Sequence, residues 1–446
     1  MSKTVENWGG NLKFTPTQIY YPKSHEEVVE VVKKARENQQ NVRIIGSGHS
    51  WTQLINTDDV LVSLDEYQGI VSVDKHNLTA VVKAGTKLKL LGELLHEEGL
   101  AMENMGDINV QSIAGALSTG THGTGVEFKT LANQMEEITL VNGQGETVVC
   151  SEKENRDLFK AAQISLGALG IITKIKLRLV PTFKLKYVAV KSTLDETLKN
   201  IEKYKAENRN FEFYWFPFTK TVQLKFVNMT TEPVKNVGFA KKFNDVVLEN
   251  GAFGALSRIS RVFPKVAPRI SKISAAAVSE GTYINHSHLI FATQRLVRFN
   301  EMEYNVPQEH FTTVIKEIEE CINQNQFKVH FPIECRWVKA DDILISPASD
   351  RDSAYIAVHM YKGMEYKPYF EAIEQIFKKY KGRPHYGKMN TLKHEDFAEL
   401  YPNWDKFNEI REQQDPDGIF LNPYLQGIFK VGVGSQESGA STASSN

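Results

Sequence analysis

The first part of the chain alternates helical and strand periods of apolar residues. Ser24-His25-Glu26-Glu27 has the form of a capping box, and the valines after it are spaced for one face of a helix that ends near Gln40. The β-type run Val42–Ile45 follows and leads into a glycine-rich loop at Gly46. This order of helix, strand and loop predicts a βαβ-like unit.

Further strand-type runs follow, separated by turn residues and by two helix-type segments. The predicted strands are Val60–Leu64, Ile70–Val73, Thr79–Lys83, Ile138–Val141, Thr147–Cys150 and Ile171–Val180, and the predicted helices are Thr86–Glu98 and Asn155–Ala162. Asn142-Gly143 is a hairpin-turn signal between two of the strands. Because Pro181 closes the last strand, we predict a first domain over residues 1–181.

Beyond that point polar and apolar residues alternate, which is typical of antiparallel strands. The predicted strands are Phe211–Phe216, Thr221–Phe226, Ile333–Val338 and Tyr355–Tyr361, and the predicted helices are Phe311–Asn325 and Pro368–Tyr380. The pattern therefore predicts an α+β fold with a second domain over residues 182–400. The Gly/Ser-rich stretch 432–446 predicts a disordered tail.

Composition narrows the class of protein. The chain has 446 residues, 41% of them hydrophobic, which suits two or more soluble domains. A net charge of −1 gives no reason to expect nucleic acid as a partner. Three cysteines without a CxxC spacing predict neither a disulfide framework nor a metal site, and they favour a reducing, cytoplasmic compartment. Met1–Trp8 lacks the apolar run of a signal peptide, and we expect no transmembrane helix.

Two segments carry candidate binding chemistry. In Gly46-Ser47-Gly48-His49-Ser50-Trp51, glycines at a strand end let successive amides approach an anion. The segment Gly106–Gly125 is dense in Gly, Ser and Thr, which suits a loop lying against a large flat ligand. Alone, the first segment also fits a loop whose histidine bonds only to its neighbours, and the second fits a linker. The regularly interleaved apolar residues from Ile113 to Leu117 argue against a linker.

Together these segments resemble the cofactor loops of flavoenzymes of the vanillyl-alcohol oxidase superfamily. The resemblance implies a two-part FAD-binding domain, a cap domain built on an antiparallel sheet with flanking helices, and FAD attached covalently through His49. The residues that it assigns to the cofactor are Gly46, Ser47, Gly48, His49, Ser50, Gly106, Asp107, Ser112, Gly115, Ser118, Thr119, Thr121, His122, Gly123, Gly125, Gly170, Ile171, His385 and Lys388. The glycine pair that ends at Gly170 also fits an ordinary helix C-cap.

The strand Phe331–Val338 places Glu334 and Arg336 on one face, because side chains alternate along a strand. By themselves they also fit a surface ion pair. With Gly382–Lys388 and Asp415–Tyr424 they resemble the aldonolactone oxidase branch, which includes gulonolactone and arabinonolactone oxidases. That resemblance covers Asn11 to Phe429 and implies that residues 401–431 return to the FAD-binding domain.

The branch implies oxidation of an alcohol carbon of a sugar-1,4-lactone, with hydride transfer to flavin N5 and oxygen as acceptor, which yields hydrogen peroxide. The catalytic candidates are Glu334, Arg336, Lys388 and His359. Arg336 would stabilise charge on the substrate oxygen, Glu334 would orient hydroxyls, and Lys388 would help move the proton. Without the motif match, Lys388 also fits an exposed lysine after a turn. His385 is expected to support Lys388.

Several alternatives stay open. His359 fits a core histidine, but polyol oxidases of the superfamily have a histidine in a similar strand, so an alditol is a second substrate class. Gly106 leaves a path for oxygen to the flavin, whereas a dehydrogenase would pass electrons to a quinone or cytochrome. A flavin protein without turnover is disfavoured by Glu334, Arg336 and Lys388 together. A nicotinamide-dependent Rossmann enzyme is disfavoured because the first loop lacks a third glycine.

The basic stretch Gly251–Val278 has five basic residues and no acidic one. Its apolar residues fall at helical spacing, so it fits an interfacial helix drawn to anionic lipid. Pro264 and Pro268 interrupt that pattern, and we predict instead a mobile, solvated loop over the substrate entrance. The expected membrane contact is at most weak, salt-sensitive binding to anionic vesicles.

Overall fold

The computed structural model of the chain describes residues 3–235, 239–292 and 297–430. The strands of the first region are β1 (Val5–Glu6), β2 (Lys13–Phe14), β3 (Gln18–Tyr20), β4 (Val42–Ile45), β5 (Val60–Ser63), β6 (Ile70–Asp74), β7 (Thr79–Lys83), β8 (Leu100–Ala101), β9 (Met135–Val141), β10 (Thr147–Ser151), β11 (Ile171–Arg178) and β12 (Val180–Pro181). Those of the second region are β13 (Lys184–Thr193), β14 (Asn210–Trp215), β15 (Thr221–Met229), β16 (Gly281–His286), β17 (Phe299–Pro307), β18 (Ile333–Val338), β19 (Ser353–Tyr361) and β20 (Arg383–Pro384).

The helices are interspersed with these strands. In chain order they are α1 (His25–Glu37), α2 (Leu88–Glu97), α3 (Ile113–Ser118), α4 (Arg156–Ala162), α5 (Leu194–Lys199), α6 (Ile201–Glu207), α7 (Phe239–Val262), α8 (Ala267–Ala276), α9 (Ser287–Phe291), α10 (Phe311–Asn325), α11 (Lys367–Lys379), α12 (His394–Leu400), α13 (Trp404–Gln414) and α14 (Pro423–Phe429). The predicted tail at 432–446 lies outside the described residues. The limits 1–181, 182–400 and 401–431 stay predictions.

The first region forms two main sheets. β3, β5 and β4 make a parallel sheet, and α1 connects β3 to β4, as the βαβ prediction requires. The order β10-β9-β11-β7-β6 makes an antiparallel sheet in which the predicted Asn142-Gly143 turn joins β9 to β10. Ser24 caps α1 by accepting the Glu27 N–H, and the Glu27 carboxylate accepts from the backbone of Lys23.

The second region is built on one antiparallel sheet, with the order β16-β13-β15-β14-β18-β19-β17-β20 in the described chain. Phe311 at the start of α10 packs on Phe213 and Trp337, whose side chains share one face of the sheet. Residues at alternate positions, such as Glu334 and Arg336, lie on the opposite face. We call that opposite face the polar face. The predicted α+β class with an antiparallel second-region sheet is confirmed.

The prediction of a loop over Gly251–Val278 was wrong. α7 continues to Val262, a 3-10 turn occupies Pro264–Val266, and α8 follows. Pro264 separates the two helices, while Pro268 lies in the first turn of α8, where a missing N–H costs no helical hydrogen bond. None of the described helices is both long and apolar enough to cross a membrane.

Candidate active site

A cleft of about 910 Å³ opens where β4 ends and its loop begins. Of the residues predicted to bind the cofactor, the cleft is lined by Gly46, Ser47, Gly48, His49, Ser50, Ser112, Gly115, Ser118, Thr119 and Gly170. We call it the glycine-lined cleft.

Glycine is required at several points of this wall. A Cβ at Gly46 would lie 2.2 Å from Ser112 Oγ, and one at Gly85 would lie 1.9 Å from the carbonyl oxygen of Leu64. Gly48 has φ +65°, a left-handed conformation that glycine adopts without strain. The wall therefore consists of backbone and small side chains, which allows a ligand to approach the amides closely.

His49 is the histidine of this loop and lines the cleft. Its Nδ1 is 3.2 Å from the carbonyl oxygen of Ser47, which can only accept, so Nδ1 carries the proton and Nε2 the lone pair. The ring stacks on Trp8 with 5.2 Å between centroids. Burial lowers the pKa of His49 to about 4, so the imidazole is neutral at neutral pH.

Arg43 holds together the chain segments around the cleft, although it lies in an apolar strand. Its guanidinium, only 2% exposed, donates to the backbone carbonyls of Leu54 at 2.6 Å, Leu166 at 2.8 Å and Gly167 at 3.1 Å, and also to Phe420. Burial lowers its pKa to about 9, so it remains charged. One side chain thus joins three chain segments around the cleft, including the C-terminal one.

The other predicted cofactor residues do not line the glycine-lined cleft. Asp107 and Gly123 line a second cavity, described below. Gly106 packs against His122, because a Cβ there would lie 3.0 Å from the His122 carbonyl oxygen. Gly125 has φ +125° and bridges to β18. Thr121 has a buried hydroxyl, and Ile171 is buried in β11 while its neighbour Ile172 lines the cleft.

The polar face brings Glu334 and Arg336 together as predicted, but as a buried group. The Arg336 guanidinium pairs with Glu334, with Glu212 at 2.8 Å and with Asp107 at 3.6 Å. Tyr214 donates its hydroxyl to Glu334 at 2.7 Å. Burial alone would lower the pKa of Arg336, but the carboxylates raise it well above its usual value, so the fork stays charged.

Lys388 and His359 meet on the same face at a carboxylate that sequence reasoning missed. Glu301 on β17 pairs with Lys388 Nζ and lies 3.5 Å from His359 Nε2. Burial would raise the pKa of Glu301, but Lys388 and His359 lower it to about 2. His359 Nδ1 donates to the Pro332 carbonyl at 3.1 Å. Lys388 Nζ also lies 4.4 Å from the ring centre of Trp51, which connects this cluster to the glycine loop.

A second histidine–carboxylate pair lies beside the first. Glu303 is 3.3 Å from His122 Nε2, and its backbone carbonyl accepts the His385 N–H at 3.0 Å. His385 Nδ1 accepts the N–H of Gly387 at 3.0 Å, so this ring holds the turn before Lys388, as expected. Burial lowers the pKa of His385 to about 3. Burial would raise the pKa of Glu303, but His122 keeps it well below its usual range.

These shifts predict that acid weakens the fold. The folded-state pKa values of His49 (about 4) and His385 (about 3) lie below the ordinary 6.5. Their contribution is therefore fully present above pH 6.5 and is lost progressively as the pH falls from 6.5 through 4 for His49 and through 3 for His385. The carboxylate Glu301, at about 2 instead of 4.5, loses its contribution below pH 4.5. Urea unfolding between pH 7 and pH 4 should show falling stability. His385→Gln should flatten this dependence, and a pH-independent midpoint would contradict it.

Comparison with known proteins decides the family. A family model described as D-arabinono-1,4-lactone oxidase matches residues 175–428, and an FAD binding domain model matches residues 16–151. The chain belongs to the D-arabinono-1,4-lactone oxidase family. As a member of that family the protein is an FAD-dependent oxidoreductase, and the resemblance seen in its motifs is confirmed.

Full-length relatives support the assignment to the lactone oxidase family. The L-gulono-1,4-lactone dehydrogenase of Mycobacterium tuberculosis is 36% identical over 429 residues, which cover 96% of this chain and 100% of that protein. The L-gulonolactone oxidase of Scyliorhinus torazame is 31% identical, with 96% and 99% covered. The cholesterol oxidase of B. sterolicum superposes with a TM-score of 0.79 at 20% identity, with 96% and 97% covered, which shows a shared fold.

FAD fits the glycine-lined cleft of this lactone oxidase family member. The amides from Gly46 to Ser50 would hold the pyrophosphate. The glycine at position 46 lets the backbone come close to Ser112, because a Cβ there would occupy the space beside that side chain. Lys87 adds a positive charge at the rim, where its ammonium donates to Ser47 Oγ at 2.9 Å and pairs with Asp65 at 2.6 Å. Small residues along α3 leave room for a flat ring system.

Sequence reasoning missed the residues that hold the predicted ones in place. These are Arg43, Lys87, Glu212, Tyr214, Lys225, Glu301 and Glu303. Period-2 alternation in Phe299–Pro307 could have predicted that Glu301 and Glu303 share a face. No local signal marked Arg43, because the residues to which it donates are distant in sequence.

Proposed function

We propose that the protein oxidises a hydroxyl-bearing carbon of a sugar-1,4-lactone of the gulono, arabinono or galactono type to a carbonyl. The observation that carries this proposal is the polar face, which bears Glu334, Arg336 and His359 and holds Lys388 through Glu301. Arg336 reaches Asp107 of one cofactor loop, and Lys388 lies on Trp51 of the other. The two relatives are named as a gulonolactone dehydrogenase and a gulonolactone oxidase, and the matching family model is described as D-arabinono-1,4-lactone oxidase.

The chemistry requires the carbon to lose a hydride and the hydroxyl to lose a proton. When bound, FAD would supply the hydride acceptor, and its reoxidation by oxygen would give hydrogen peroxide. Arg336 donates to the substrate oxygen as negative charge develops there, and its rigid fork is held by Glu334 and Glu212. Since this guanidinium is already oriented, little reorganisation is needed at the moment of reaction.

The hydroxyl proton is taken at His359 Nε2. The opposite nitrogen of that ring donates to Pro332, which fixes the ring orientation. Glu301 stabilises the cation that results and anchors Lys388, so Glu301 is a positioning residue.

Glu301→Gln should lower kcat more than it raises KM, because the charge is needed mainly once the proton has moved. Glu317→Gln is the control, because this half-buried carboxylate of α10 pairs with Lys379 and is not among the residues of the polar face. It should retain activity.

We further propose that FAD is bonded covalently through His49. Its neutral ring has a lone pair at neutral pH, which supports a nucleophilic role. After acid precipitation the flavin should stay with the polypeptide, and His49→Ala should release it while still binding FAD noncovalently. Complete release of flavin from the unsubstituted protein would rule out the bond.

Oxygen is the proposed electron acceptor. Gly106 supports this choice, since a larger residue at the matching place hinders the approach of oxygen to the flavin in some relatives. In this chain a Cβ at Gly106 would lie 3.0 Å from the His122 carbonyl oxygen. One full-length relative is named a dehydrogenase and another an oxidase, so the acceptor needs its own test. Peroxide should form in amounts equal to the lactone consumed. Fast turnover with a quinone or cytochrome and negligible oxygen uptake would make the protein a dehydrogenase.

A polyol is the second candidate substrate, and His359 is the observation that favours it. This histidine lies on the polar face, 3.5 Å from Glu301, and on that face it can meet a substrate hydroxyl. A panel of aldonolactones and alditols, followed by oxygen uptake, separates the two classes. Higher kcat/KM for alditols than for every lactone would replace the lactone proposal.

We also propose a cytoplasmic location, supported by three cysteines that are all unpaired. The exposed apolar side chains Ile259, Val262 and Phe263 lie beside basic residues near the end of α7. We expect only weak vesicle binding from so few apolar side chains. Co-sedimentation with anionic vesicles that survives about 0.5 M salt, where surface charge is screened, would contradict that expectation.

A further inference from the structure

A second cavity of about 450 Å³ adjoins Arg336 on the side away from Lys388. It lies between the loops of the FAD-binding region and the polar face of β13, β14 and β15. Its polar lining consists of Asn104, Asp107, Thr124, Tyr187, Asn210, Glu212, Lys225 and Arg336. Ile290 and Phe291 of α9 are among its apolar lining residues. Arg336 therefore belongs both to the proposed reaction site and to this cavity.

The polar groups of this second cavity are buried and held in place. Lys225 Nζ lies 3.1 Å from Glu212 and 4.1 Å from the ring centre of Tyr214. The Lys225 and Glu212 side chains are 11% and 13% exposed. The Glu212 contact engages one of the three N–H bonds of the ammonium. A fixed ammonium and carboxylate at a cavity wall can respectively donate to and accept from a hydroxyl group.

The charges of the lining balance. Lys225 and Arg336 are positive, Asp107 and Glu212 are negative, and each cation faces a carboxylate. An anionic ligand would therefore gain little attraction while paying the full cost of desolvation. A neutral chain with hydroxyl groups matches such a lining, because every hydroxyl both donates and accepts.

We propose that the second cavity binds the exocyclic hydroxylated chain of the lactone, and that Lys225 and Glu212 are specificity-determining residues. This inference rests on the proposed lactone oxidation. A six-carbon 1,4-lactone carries a two-carbon diol on its ring, whereas a five-carbon 1,4-lactone carries a single hydroxymethyl group. With the ring at Arg336, the longer chain reaches Lys225 and Glu212 and the shorter chain does not.

The test compares L-gulono-1,4-lactone with D-arabinono-1,4-lactone as substrates. In Lys225→Met the ratio of their kcat/KM values should fall on the order of tenfold relative to the unsubstituted protein, since a hydrogen bond to a charged group is lost. The change should appear mainly in the KM of the six-carbon lactone. Lys186→Met is the matched control, because it removes a lysine of the neighbouring strand β13 that pairs with Glu232 at the surface. It should leave the ratio unchanged.

Each outcome decides between the claims. An unchanged ratio in both Lys225→Met and Glu212→Gln, with FAD content retained, overturns the inference and leaves lactone oxidation standing. If Lys225→Met loses FAD, the ratio of kcat/KM values is measured in Glu212→Gln and Lys225→Arg in its place. If the protein oxidises only the five-carbon lactone, the inference also falls. If it oxidises only the six-carbon lactone, the KM values for that substrate are compared. A higher KM in Lys225→Met than in Lys186→Met is expected, and equal values overturn the inference. If neither lactone is oxidised, the inference falls, and a lack of turnover with every other aldonolactone as well overturns the proposed function itself.

Discussion

Alanine at Arg336 is expected to lower kcat by about a hundredfold to a thousandfold, the usual effect of removing a donor aimed at developing charge. The guanidinium is held by Glu334, Glu212 and Asp107, so its position is set before substrate arrives. Arg336→Lys should keep the charge but restore little activity, because an ammonium cannot reproduce the fork. Rates of flavin reduction without oxygen would measure the effect directly.

The controls separate catalysis from folding. Removing Arg336 leaves buried carboxylates facing one another, which destabilises a protein. FAD content and the unfolding midpoint must therefore be measured for each variant, and Arg336→Lys should retain both. Arg178→Ala is a matched exposed variant, since that side chain is 46% exposed and pairs with Glu103. Activity near that of Arg178→Ala in a folded Arg336→Ala would remove Arg336 from the mechanism.

Arg43→Met is expected to lower the free energy of unfolding by about 3 kcal/mol or more, and to lower the FAD content with it. Methionine fills similar space but leaves the carbonyls of Leu54, Leu166, Gly167 and Phe420 without their shared donor. Unpaired buried carbonyls cost about 1–3 kcal/mol each. Because these carbonyls belong to segments around the glycine-lined cleft, their displacement should also weaken cofactor binding.

The comparison for this prediction is Arg36→Met, which removes an exposed arginine of α1 paired with Asp417 at 2.8 Å. Exposed ion pairs contribute about 0–1 kcal/mol, so this variant should unfold almost as the parent does. Urea unfolding and the ratio of flavin to protein absorbance measure both quantities. Equal unfolding energies and FAD contents in the two variants would show that Arg43 does not organise the cleft.

Local periodicity predicted most elements because their burial is regular. Phe311–Asn325 and Ile333–Val338 have the bounds that the pattern indicated, since each has one apolar face against the core. The paired prolines near Pro264 were misjudged, because a proline opens a helix as readily as it ends one. Turn chemistry at Asn142-Gly143 predicted a hairpin because its geometry is local.

The site was predicted in part, and the division has a physical cause. Glycine loops and the Glu334–Arg336 pair have local patterns, so the sequence marks them. Glu301 and Lys225 lie on strands whose polar face resembles a solvated face, and only the packing of the FAD-binding region over that face makes them part of a site. Alternation along a strand predicts which side chains share a face, but it does not predict what covers them.

The most direct test of the central claim is anaerobic mixing of the flavin-loaded protein with L-gulono-1,4-lactone while the flavin absorbance is followed. We expect the flavin absorbance of the unsubstituted protein to bleach. Arg336→Ala with equal FAD content should bleach at least about a hundredfold more slowly. Absence of bleaching with every aldonolactone, or equal rates in the two proteins, would contradict lactone oxidation on the polar face.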